Sequence, residues 1–280
     1  MTAPALLRGR TIGFLGAGTM GQALIRGLLA SGVPRARLQA AEPNSAIRRL
    51  VARRFGVRVS PDNVRVARTA DILILAVKPQ QVPAVLDELA PRIRRRQLVI
   101  SIAAGVRLPR LETRLPGVPV VRVMPNLPAT VGQGFAAIAA GRAAAAHHRA
   151  LARAIFASVG EVAELPERHF DAVTAVSGSG PAYVFFLAHA WERAASALGL
   201  PAAVARRAVR ATLSGSAALL EASPEPPDAL IAQVASKRGT TEAALAVLAR
   251  RRVRASIEEA LGAAARRSRH LGNQGHTPIS

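Results

Sequence analysis

Three short runs in this 280-residue chain combine glycine with hydroxyl groups or a helix start in ways that can do chemistry. They are Gly16-Ala-Gly18-Thr19-Met20-Gly21, Ser177-Gly178-Ser-Gly-Pro181 and Ser236-Lys237-Arg238-Gly239-Thr240-Thr241. The first has the spacing GxGxxG between an apolar run ending at Leu15 and a helical pattern. There Gly16 permits a tight turn, Gly18 admits a pyrophosphate to the backbone and Gly21 packs the helix on the strand. The third run precedes a predicted helix, Thr240 to Arg250, so hydroxyls and amides converge at a positive helix end suited to a carboxylate. Thr240 or Thr241 could equally do no more than cap that helix, Thr240 with Glu242 in a capping box. The second run sits inside twenty uncharged residues, Ala172 to Trp191, whose central glycines and proline exclude a membrane span. It reads as a turn opening a helix from Pro181 to Leu198, with Ser179 as N-cap and Gly199 as the stop. Exposed amides at that start can receive an anion or a substrate's polar edge, or serve only to begin the helix.

The elements that must carry these runs follow from patterning. Thr11 to Leu15, Arg37 to Ala41, Val57 to Ser60, Asp71 to Val77, Gln97 to Ile102 and Val118 to Met124 read as strands with helical segments between, Ser45 to Phe55 among them. The run after Asp71 is almost wholly apolar, as a strand buried on both faces of a parallel sheet must be. Alternation of this kind predicts a doubly wound α/β domain with its ligand at the carboxyl ends of the strands. Three further strand ends are therefore candidates for lining a cofactor: Ala76-Val77-Lys78-Pro79, Ser101 to Gly105 including Ala104, and Met124-Pro-Asn126. Further strands are predicted at Phe135 to Ala139 and Glu161 to Leu165, flanking a helix from Arg142 to Val159. From Glu167 onward only helices are expected, ending in a polar, disordered tail, Gly272 to Ser280.

Composition narrows the classes. Half of the residues are hydrophobic, which excludes a disordered chain, and there are no cysteines, hence no disulfide and no thiolate metal site. Adjacent His147 and His148 do not share a helix side, so no metal is expected. No apolar signal core precedes the first strand, and a cytoplasmic protein is the expectation. The net charge of +21 raises nucleic acid as a partner. It comes almost entirely from arginine scattered over many elements, and aromatics are 3%, so a solvated basic surface is favoured and nucleic acid is not expected.

The segment Asp171-Ala-Val-Thr-Ala-Val-Ser-Gly-Ser-Gly-Pro-Ala-Tyr183 resembles the signature of the pyrroline-5-carboxylate reductase family, and the resemblance extends from Gly16 to about Gly272. It implies a Rossmann-like dinucleotide-binding domain, residues 1–165, followed by an all-helical domain, 166–280, that binds substrate and builds intertwined homodimers. Apolar stripes in excess of what short helices can bury point the same way. The implied reaction is hydride transfer to the C=N carbon of a cyclic imino acid, giving proline. In it Thr241 bonds the ring nitrogen, Ser236 with the amides near Gly239 and Thr240 holds the carboxylate, and Ser177 and Gly178 form a floor against the nicotinamide. Glu167 matches an acid near the substrate nitrogen, unless it only complements a helix dipole. Asn63 matches an asparagine near the adenosine. Glu42, at the end of the second strand, favours NADH, whereas Asn44, Ser45, Arg48 and Arg49 could hold a 2′-phosphate. NADP(H) is the family's common coenzyme and the expectation, with NAD(H) the alternative. Four positions depart from the family: Leu127 for threonine, Pro226 for histidine, and Lys237-Arg238 for Pro-Gly. Rival readings are a reductase of another cyclic imine, a β-hydroxyacid dehydrogenase with Lys237 as acid, and a nucleotide-sensing or nucleic-acid-binding module without catalysis.

Overall fold

The computed structural model describes residues 3–273. Close contacts divide the chain into one unit of residues up to Ser179 together with those from Ala264 onward, and a second, Gly180–Ala263.

The first unit opens with α1 (Ala3–Leu7), β1 (Ile12–Leu15), α2 (Thr19–Ala30), β2 (Leu38–Ala41), α3 (Ser45–Phe55), β3 (Arg58–Ser60), α4 (Asn63–Thr69) and β4 (Ile72–Leu75). It continues through α5 (Val82–Leu89), β5 (Leu98–Ser101), α6 (Leu108–Arg114), β6 (Val120–Pro125), β7 (Gly134–Ala140), α7 (Ala146–Phe156) and β8 (Gly160–Glu164). Among the described residues the strands form one eight-stranded sheet, ordered β3-β2-β1-β4-β5-β6-β7-β8. β1 pairs in parallel with both β2 and β4, so the strand order reverses there, with the glycine run directly beyond it. β7 is antiparallel to β6. Only residues 126–133 join them, fewer than the dozen or more a parallel crossover requires.

Side chains alternate across the sheet, and the two cores follow that period. Ile72 and Ile74 pack in one cluster with Leu24, Leu28 and Phe156, whereas Leu73 and Leu75 pack in the other with Val66, Leu86 and Leu111. All four β4 residues are fully buried. Each contributes roughly 1.5–3 kcal/mol, against about 1–2 kcal/mol for ordering its backbone, so packing fixes the strand. Local chemistry sets the helix ends. The Asn44 side chain accepts from the amides of Ala46 and Ile47 to start α3, and Gly56 ends it with φ +66°.

Beyond β8 come a 3₁₀ turn, Glu167–His169, then α8 (Phe170–Val173) and a π turn, Thr174–Gly178. Phe170 is buried in the sheet's second core, so this segment packs with the sheet and the division by close contacts falls after Ser179. The expected turn at Ser177–Pro181 is thus corrected. Ser179 has helical angles (φ −89°, ψ −21°), and its amide donates to Thr174 O at 2.8 Å, closing the π turn instead of capping a new helix.

The second unit holds α9 (Gly180–Ala197), α10 (Ala202–Ala222), α11 (Pro227–Val234), α12 (Thr240–Arg250) and the first part of α13 (Val253–Asn273). In α9, α11 and α12 no residue is buried, and Phe185, Phe186, Trp191, Leu219, Val234 and Leu248 are exposed. No described helix is long and apolar enough to cross a membrane. α13 continues through Gly272 to Asn273, beyond the expected end of order; the rest of the expected disordered tail, 274–280, lies outside the described residues.

Candidate functional site

The glycine turn lies at the carboxyl end of β1, facing the end of β4. Gly16 has φ +97°, and a Cβ there would stand 2.7 Å from the carbonyl oxygen of Ala76, so only glycine lets the turn approach β4 this closely. Gly21 is required by the turn itself, since its Cβ would lie 2.8 Å from Gly16 O. Gly18 is different. Nothing lies within 4 Å of a Cβ at Gly18, so the protein's own packing gives no reason for glycine there. Open space above that backbone suits the approach of a phosphate. The first α2 amides, from Thr19, Met20 and Gly21, precede the first helical bond, Gln22 N to Gly18 O at 2.9 Å, and remain available to an anion. These residues fit a dinucleotide's pyrophosphate.

Glu42 closes the turn from the side. Its buried carboxylate accepts from Ala17 N at 3.0 Å through Oε2 and from Asn44 N at 3.0 Å through Oε1. Both oxygens hold backbone, which weakens the argument that Glu42 repels a 2′-phosphate. Arg48 Nη1 braces the same corner by donating to Glu42 O and Pro43 O at 2.9 and 2.6 Å, while Asn44 is spent on capping α3. Arg49 and Ser45 stay exposed. Asn63, half-buried at the start of α4, donates from Nδ2 to Glu88 Oε2 at 3.1 Å.

At the neighbouring strand ends, Ala76 and Val77 are half-buried and Lys78 is exposed, without an ion pair among the described residues. Pro79 opens a short 3₁₀ turn. Ala104 is exposed beyond β5. Asn126, just past β6, joins two predicted groups. Its Nδ2 donates to Ser177 Oγ in the π turn at 3.0 Å, and its Oδ1 accepts from Phe135 N at 2.8 Å. A Cβ on Gly178 would stand 2.7 Å from Met124 Cε, so the glycine lets the π turn settle onto the end of β6. Ser177 and Gly178 are therefore held at the carboxyl edge of the sheet, where the residues expected to line a cofactor also lie.

Glu167 has a different occupation from the one its match implies. Its Oε1 accepts from Arg122 Nη1 and from Leu108 N, each at 2.7 Å, so it pairs with a cation whose side chain is only 4% exposed and supplies an acceptor to the start of α6. Arg122 also lies 4.8 Å over the Phe170 ring. Sequence reasoning passed over Arg122. A single arginine within Val120–Pro125 carried a signal, because a cation in a buried strand requires a partner.

In the second unit, Gly239 is the N-cap of α12 and no side chain caps it. This corrects the capping role considered for Thr240 and Thr241, which occupy the first helical positions with their hydroxyls free of that duty. Glu242 instead reaches back past the N-cap to accept from the amide of Arg238, the residue before it. Gly239 N donates to Ser236 O at 3.0 Å, and any Cβ on Gly239 would collide with Ser236 Oγ. Ser236 and Thr240 are exposed and Thr241 is half-buried. Arg238 takes φ +60°, a left-handed backbone uncommon for any residue that carries a Cβ.

Comparison with known proteins agrees with this anatomy. Residues 167–271 match the family model for pyrroline-5-carboxylate reductase dimerisation, and residues 11–105 match that for NADP oxidoreductase, coenzyme F420-dependent. A pyrroline-5-carboxylate reductase of Synechocystis sp. is 42% identical over 264 residues, covering 94% of this chain and 98% of the relative. The solved pyrroline-5-carboxylate reductase of Coxiella burnetii superposes with a TM-score of 0.87 at 33% identity, covering 94% of this chain and 98% of that one. A Plasmodium falciparum pyrroline carboxylate reductase, solved with NADP bound, gives 0.86 at 28% identity, covering 95% and 99%. On this similarity along nearly its whole length, together with a glycine turn at the switch point and a π turn tied to the end of β6, the chain belongs to the pyrroline-5-carboxylate reductase family.

Proposed function

We propose that this protein reduces 1-pyrroline-5-carboxylate to L-proline with NADPH, NADH being the alternative coenzyme. The observation that carries the proposal is the bond from Asn126 to Ser177, which brings the Ser-Gly-Ser-Gly segment to the sheet edge where Gly18 leaves room for a phosphate. When bound, the reduced nicotinamide supplies the hydride for the carbon of the C=N bond. The protein's part is to hold planar reactants in register and to bind the carboxylate. Ser177 and Gly178 offer a narrow floor. Ser236 and the amides at Gly239 and Thr240 suit the substrate carboxylate, and the Thr241 hydroxyl suits the ring nitrogen. The imine nitrogen enters protonated, so the amine forms without a dedicated acid. Glu167 is better accounted for by its pair with Arg122 than by a substrate contact.

Leu15, Gly16, Gly18, Thr19, Met20, Gly21, Glu42, Asn63, Ala76, Val77, Lys78, Pro79, Ala104 and Asn126 make up the proposed coenzyme lining. We place the boundary between nucleotide-binding and substrate-binding segments near residue 165, and the reaction in the cytoplasm, which a cysteine-free chain suits. The exposed apolar side chains of α9 and α10 support an oligomer, with the intertwined dimer as its proposed building block.

The test follows the loss of NADPH and NADH absorbance with pyrroline-5-carboxylate, beside a six-membered imino acid. Oxidation with the six-membered ring alone would favour a different imine as substrate. A Lys237→Ala variant that keeps imine reduction excludes Lys237 as the acid of a hydroxyacid dehydrogenase. Salt-sensitive nucleic-acid binding without coenzyme oxidation would overturn the proposal.

A further inference from the structure

A charged cavity, of about 410 Å³, is lined by Arg107, Arg122, Glu167, Arg168, Asp171, Arg269 and Asn273, all within the unit that contains the sheet. Four guanidiniums face two carboxylates there. The carboxylates are already engaged: Glu167 with Arg122 and the Leu108 amide, Asp171 with Ser268 Oγ at 2.7 Å. Asp171 also holds two arginines at long range, Arg107 at 3.4 Å and Arg269 at 3.9 Å. Arg168 has no ion pair among the described residues. Two positive charges are thus left over, on forked donors that face one concave space. Guanidiniums match a tetrahedral oxyanion with paired N–H bonds, and a dianion balances the surplus.

We infer that this cavity is a binding site for a phosphate-class dianion, held by Arg168, Arg269 and Arg107, and distinct from the coenzyme's glycine turn. Its location gives the ligand a consequence. Arg107 follows directly from the loop beyond β5 that carries Ala104, and in that loop a Cβ at Gly105 would stand 3.6 Å from Leu271 Cβ. Arg269 and Asn273 belong to the same end of α13 as Leu271. A dianion bridging Arg107 to Arg269 pins the end of α13 against a loop proposed to line the coenzyme, and so acts as an effector of coenzyme binding.

The test is calorimetry on the full-length protein saturated with NADPH, which blocks phosphate from the coenzyme's own sites. Inorganic phosphate and glycerol 3-phosphate are titrated in separate arms at constant ionic strength, to tell a free ion from a phosphate ester. Wild type should bind one of them saturably. Arg168→Ala/Arg269→Ala should weaken that binding at least tenfold; both side chains are exposed, so the fold is spared. Arg250→Ala, in the other unit, should leave it unchanged. Absence of saturable binding, equal binding by the double variant, or reproduction of the heat by chloride at matched ionic strength overturns the inference. The measurement reads binding and not turnover, so it fails or succeeds independently of imine reduction.

Discussion

Replacing Gly18 and Gly16 singly by alanine separates a glycine kept for a ligand from one kept for the fold. At Gly18 the backbone is extended at φ −69°, ψ −167°, and a methyl group meets nothing within 4 Å. Alanine is a poorer N-cap than glycine by about 0.5–1 kcal/mol, while the lost flexibility of the unfolded chain returns about 0.4–1 kcal/mol. Gly18→Ala should therefore change unfolding free energy by less than about 1 kcal/mol. The same methyl group points where a pyrophosphate must approach. Losing one or two backbone bonds to a charged oxygen removes about 1.5–3 kcal/mol, which is roughly a tenfold to hundredfold rise in the dissociation constant. At Gly16, alanine must adopt φ +97° and displace Ala76 O from 2.7 Å. The expected destabilisation is about 2–4 kcal/mol, the left-handed penalty added to overpacking. Urea unfolding and fluorescence titration with NADPH read the two effects. A folded Gly18→Ala protein that binds NADPH with native affinity would refute the assignment of that open space to phosphate.

Arg122→Met should cost about 3–5 kcal/mol in urea unfolding, because it strands the Glu167 carboxylate; a double change with Glu167→Leu should recover much of that loss, and simple additivity of the two would contradict the pairing. Arg238→Gly should raise stability by about 0.5–1 kcal/mol, since glycine accepts φ +60° without strain but gives back unfolded-state entropy; thermal unfolding that shows a loss would mean the arginine side chain holds the loop. His148 Nδ1 accepts from Ala145 N at 3.0 Å at the start of α7, and burial, then His147, then Arg10 lower its pKa below 6.5. A lowered pKa means the folded state prefers the neutral ring. Its contribution is present above pH 6.5 and is lost as pH falls through that value toward the folded pKa. Melting temperatures of wild type and His148→Ala should converge on acidification, and parallel profiles would exclude the effect.

Much of this anatomy was written in local residue order. Asn44 before an apolar period and Gly56 after it mark α3 to the residue, because caps act over one helical turn. The run Ile72–Leu75 announces a strand buried on both faces, and the three hydroxyl and glycine runs could be singled out by type and spacing alone. What depended on the folded chain is whatever needs partners distant in sequence. Ser177 and Gly178 looked like a turn before a helix, but with Phe170 buried against the sheet and Asn126 bonding Ser177 across 51 residues they form a π turn. Glu167 seemed free to meet a substrate until β6 brought Arg122 to it across 45 residues. Glu42 seemed a selector of ribose until the turn at Ala17 folded onto its carboxylate. Helix caps and strand periods are satisfied within a few residues and so can be read along the chain; a buried charge or amide takes whichever partner the packing delivers, and that is decided only in three dimensions.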